Sequence, residues 1–88
     1  MKHKIELTAD ECKLIVMHCV VFGSLASTLK RLSKKPGTHK ITMTVEQISD
    51  LTGWLAAEAN HCQDRELEVD LHELWEHFEC SLIDAQNQ

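Results

Sequence analysis

Two stretches of this 88-residue chain, 36 positions apart, set the terms for its fold. Lys4-Ile5-Glu6-Leu7-Thr8-Ala9-Asp10-Glu11 and Lys40-Ile41-Thr42-Met43-Thr44-Val45-Glu46-Gln47 each alternate apolar and polar residues, then place a threonine three positions ahead of Glu or Gln. Alternation suits a short strand with one buried face. Thr-x-x-Glu/Gln is a capping box: the hydroxyl accepts an orphaned helix N–H, and the Glu or Gln side chain accepts the N–H of the threonine. Each stretch therefore predicts a strand, a threonine cap and a helix. A shared way of starting a helix explains the likeness as well as duplication does, and the capping reading holds in both cases.

The first helix is expected from about Ala9 to about Lys34, where Lys35-Pro36-Gly37 stops it, because Pro36 lacks an N–H and disfavours helical geometry in the residue before it. Gly37 to Lys40 then form a turn. The second helix is expected over about Val45 to Cys62, with Ile48, Leu51, Leu55, Ala59 and Cys62 on one face. Asn60 to Asp64 read as a break with Asp64 as the next N-cap. The third helix carries the narrow stripe Leu67, Leu71, Leu74, Trp75, Phe78, Leu82 and Ala85. The expected fold is mainly α: one domain over residues 1–88, three helices in β-α-β-α-α order, with short strands before helices 1 and 2. Strands joined by one crossover helix would pair in parallel. The alternative is a three-helix bundle with extended lead-in segments.

A chain with 43% hydrophobic and 26% charged residues can bury one modest core. Its charge is unevenly placed. Residues 1–40 hold eight Lys/Arg against three acids, a balance of +5, and residues 41–88 hold one Arg against eleven acids, a balance of −10. The expectation is internal attraction between the halves, the basic end of the first helix (Lys30, Arg31, Lys34) meeting the acidic third helix. Nucleic acid is disfavoured as a partner by the net charge of −5 and by the lack of aromatic residues among the basic ones.

Lys2, Lys4, the apolar run Leu14–Phe22 and Ser24-Leu25-Ala26 imitate a secretory signal, but Glu6, Asp10 and Glu11 occupy its positive region and His18 interrupts its apolar core. No stretch reaches the roughly 20 apolar residues of a membrane span. Cys12, Cys19, Cys62 and Cys80 contain no C-x-x-C pair, and the first three fall on apolar helical stripes, which suits free thiols in the cytoplasm.

Chemistry finds little support in the spacings. Glu58-x-x-His61 and Glu73-x-x-x-His77-x-x-Cys80 each share a helical face, yet neither is a zinc spacing, and a carboxylate-bridged di-iron site needs two Glu-x-x-His pairs. His18-Cys19 and His61-Cys62 are neighbours in sequence, and adjacent helical residues point about 100° apart. There is no phosphate-binding glycine loop, nucleophile elbow or H-E-x-x-H. No catalytic, metal or cofactor residue is therefore assigned; a small metal or ligand binder using His, Cys and Glu, or a cryptic enzyme, is the alternative to the reading that follows.

That reading rests on surfaces. From Leu14 to Phe22 only His18 is polar, so a helix through this run would be apolar all round and would need burial all round. Val16, Met17, Val20, Val21 and Phe22 are accordingly the expected interface of a homodimer. Trp54 projects about 110° from the apolar face of its helix, among polar residues, and Trp54, Glu58 and His61 form a second candidate partner-binding patch, unless the turn at residues 36–40 covers the indole. The function expected is a non-enzymatic protein–protein interaction module without a cofactor.

Overall fold

The computed structural model describes residues 2–87. Two strands and four helices follow in the order β1 (Lys2–Thr8), α1 (Ala9–His18), α2 (Gly23–Leu32), β2 (Thr38–Thr44), α3 (Val45–His61) and α4 (Arg65–Gln86). Of these residues 69% are helical. Both capping boxes form: Thr8 and Thr44 accept the N–H groups of Glu11 and Gln47 at 3.2 and 3.1 Å, and their own N–H groups donate to Glu11 and Gln47 side chains at 2.8 and 2.9 Å. Asp64 caps α4 through the N–H groups of Glu66 and Leu67.

The expected count of three helices is corrected to four, because the first predicted helix is broken. A continuous helix from Ala9 to Lys34 would be about 39 Å long at 1.5 Å per residue, longer than the 36 Å maximum extent of the molecule. The chain instead leaves the helix after His18, runs extended at Cys19 and Phe22, and re-enters at Gly23 with φ +67°, a left-handed conformation that only glycine adopts without strain. α1 and α2 pack together, and the chain comes back to its starting end, where the Ala9 N–H donates to the Gly37 carbonyl at 3.2 Å.

That return reverses the expected strand pairing. Two helices, out and back, deliver β2 antiparallel to β1, with Lys2 opposite Thr44, Ile5 opposite Ile41 and Thr8 opposite Thr38. The 36-residue offset now has a geometric meaning. Ile5 and Ile41 are equivalent by offset and face each other, so a pseudo-two-fold axis passes between them. It relates β1 and the first turns of α1 to β2 and the first turns of α3, matching the buried set Ile5, Leu7, Cys12, Ile15 to Ile41, Met43, Ile48, Leu51.

Alternate strand residues therefore enter a single core with Leu25, Leu29, Leu55, Leu71, Leu74 and Phe78. Phe78 is fully buried, and its truncation to alanine is expected to cost about 3–5 kcal/mol. The stripe read from the sequence of α4 is the one that packs, Leu71, Leu74, Phe78 and Ala85 buried and Leu67, Trp75 and Leu82 flanking them. Among the described residues no helix is long and apolar enough to cross a membrane.

Candidate interaction surface

The apolar run divides by geometry. Cys12 and Ile15 enter the core, and Leu14, Val16, Cys19 and Val21 pack against it half-buried. Met17, Val20 and Phe22 point outward, 64%, 45% and 79% exposed. The expected helix that is apolar all round does not exist, because residues 19–22 connect α1 to α2. Two of the five expected interface residues, Val16 and Val21, are thereby spent largely on the core, and three remain at the surface.

The connection lies against α3. Val20, Val21 and Phe22 form one wall of a cleft of about 120 Å³, and Gln47, Asp50 and Leu51 form the other. Asp50 also borders the shallow depression that holds Trp54, with Ser49 and Gly53. One turn farther along α3, the Glu58 carboxylate stands 3.6 Å from His18 Nδ1, an ion pair whenever the imidazole is protonated. The two patches expected separately are thus neighbours on one surface. Trp54 is 41% exposed. The turn expected as its cover is held elsewhere, by the bond from Ala9 to Gly37 at the start of α1. His61, the last residue of α3, is exposed at the far end of the same stripe.

The thiols beside this surface are chemically quiet. Burial, and after it the Glu58 carboxylate, push the Cys19 thiol up to about 12. Burial, then Glu11, raise the Cys12 thiol as well, against a smaller opposing effect of a backbone hydrogen bond. Both stay protonated at neutral pH, and a thiol that keeps its proton is a poor nucleophile. All four cysteines are free. Among the described residues no three His, Cys, Asp or Glu side chains are grouped to hold a metal ion, so the Glu58–His61 and Glu73–His77–Cys80 spacings do not become such a group.

His77 has a different role, which its place in that spacing does not suggest: its Nε2–H donates to the Glu6 carbonyl at 2.8 Å and ties α4 to β1. Nothing in the sequence links positions 71 residues apart, and only the packing of α4 beside the sheet does so. The expected attraction between Lys30, Arg31, Lys34 and the acidic helix does not take the form of a contact ion pair. Among the described residues the ion pairs are His18–Glu58, Lys40–Glu6 and His72–Glu76, and the basic cluster takes part in none. Lys30 and Arg31 lie in the last turn of α2, where cations complement the helix dipole, and Lys34 follows it.

No family model, curated protein or solved structure matches the chain.

Proposed function

We propose that this protein is a non-enzymatic protein–protein interaction module that forms a homodimer through the α1–α2 connection, with Trp54 at the border of the interface. The observation that carries the reading is the exposure of Met17, Val20 and Phe22 beside a half-exposed tryptophan. Clustered apolar side chains of this size mark contact surfaces more often than single exposed residues do. Aromatic and methionine residues are also enriched at such contacts. A two-fold arrangement is self-complementary, so one such patch per chain suffices. Glu58, already beside His18, and His61 at the end of α3 would form the polar rim. No cofactor is required, and a reducing cytoplasm is the setting that keeps four unpaired thiols as they are.

Phe22→Glu is the discriminating variant, because Phe22 is 79% exposed and its replacement does not disturb the core. The expected result is a parent that sediments as a dimer at high micromolar concentration and a Phe22→Glu variant that is a folded monomer. A monomeric parent would refute the reading.

A further inference from the structure

The pseudo-two-fold axis gives the two strands equivalent outer edges, and another element bonds to only one of them among the described residues. Ala9 and Gly37 continue the ladder as an odd-numbered pair, while the N–H groups of Thr8 and Thr44 turn away from it to Glu11 and Gln47. In an antiparallel pair a residue directs both backbone groups toward its partner or both away. The even-numbered residues therefore point outward on both strands. On β1 the outward carbonyl of Glu6 is taken by His77 of α4. Its equivalent by the 36-residue offset is Thr42 on β2, and there α2 does not close the edge. A groove of about 760 Å³ separates the two elements, with Leu25, Thr28 and Arg31 on the helical side and Thr38, Lys40 and Thr42 on the strand side.

The groove is basic, although the chain as a whole carries a net charge of −5. Lys2, Arg31, Lys40 and His39 line it, and among the described residues no carboxylate does. Glu6 lies outside, 3.9 Å from the Lys40 ammonium, with both side chains well exposed. An unpaired strand edge supplies donors and acceptors at the spacing of an extended chain, and flanking side chains select among such chains. We infer that the open edge of β2 takes an extended, acidic segment of a partner protein as a third antiparallel or parallel strand between β2 and α2. The groove adjoins the α1–α2 connection at Leu25 and Gln47, which border both, but Phe22 does not line it, and the inference does not depend on dimer formation. A nucleic acid would meet the same charge, but it would leave the outward backbone groups of Lys40 and Thr42 without the complementary backbone that a peptide brings.

The test is selection of a displayed library of random linear peptides on the intact protein, followed by binding measurements on the enriched sequences. Enrichment of acidic sequences with alternating β-branched residues is expected. Their affinity should fall roughly tenfold or more in Thr42→Pro, which removes only an outward N–H and so spares the ladder. The Arg31→Glu/Lys40→Glu pair, both exposed, should show a loss of the same order and a weaker dependence on salt. If Thr42→Pro does not fold, the charge variant decides. Phe22→Glu should leave the affinity unchanged. The inference is overturned if nothing is enriched, if the enriched peptides carry no net negative charge, or if they ignore the charge variant. Loss of binding in Phe22→Glu overturns it too, as do contacts between the β2 strands of two copies in isotope-filtered spectra, or displacement of the peptides by oligonucleotides alone.

Discussion

Thr8 and Thr44 show how much one side chain decides in a domain this small. Each hydroxyl satisfies an N–H that would otherwise lie open at a helix start, and Thr8→Ala and Thr44→Ala are each expected to lower stability by about 1 kcal/mol in denaturant unfolding. The loss should be larger at Thr44, whose cap is partly buried, than at the exposed Thr8. Cys19 supplies a pH dependence. The unfolded thiol loses its proton near 9, whereas the folded one holds it to about 12. A raised value in the folded state means that the stabilisation is complete below pH 9 and is lost as pH rises toward 12. Denaturant midpoints followed from neutral pH upward should fall more steeply for the parent than for Cys19→Ala. Equal slopes would show that the buried thiol does not contribute.

At the scale of elements, the break between α1 and α2 is the feature on which the topology turns. Gly23 at φ +67° has open space around it, so an added methyl group meets no neighbour and acts only through the backbone. Gly23→Ala is expected to cost about 1–2 kcal/mol from left-handed strain alone, read as a lower thermal midpoint with an unchanged helical spectrum. A gain in stability would mean that the two helices can join without harm. The capping boxes and the stripes of α3 and α4 were legible in the sequence because they depend on residues three and four apart. The break was not, because Val20, Val21 and Phe22 continue an apolar run that is compatible with a helix, and a glycine inside such a run carries no mark of the φ it will adopt.

For the whole molecule, the charge asymmetry invites an explanation by internal attraction that the packing does not support. Reversing Lys30, Arg31 and Lys34 to Glu is expected to cost about 1 kcal/mol at low salt through the dipole of α2, and less at high salt. Adding Glu73→Lys and Glu76→Lys on α4 should fail to restore it. Restoration in the fivefold variant would show that the helix end and α4 do interact. The same reasoning bears on the candidate surfaces. Met17, Val20, Phe22 and Trp54 were identifiable as excess apolar residues, but their meeting across the Gln47–Asp50 face of α3 was not. Neither was the groove beside β2, since no pattern along the chain reports which edge of a sheet is left open.

What the sequence determined by itself is local: where helices start, which faces they bury, and that two strand-and-cap units recur 36 residues apart. These follow from hydrogen bonds and side-chain spacing within one turn of helix or along one strand. The tertiary structure alone decided that β1 and β2 run antiparallel, that His77 binds the edge of β1 while a groove lies along the edge of β2, and that two apolar patches share one surface. Each of those outcomes depends on where the chain reverses between α1 and α2. A helix of about 39 Å would project beyond a domain 36 Å long. The chain turns back at Cys19–Phe22 and the left-handed Gly23, and from that reversal the antiparallel strand direction follows.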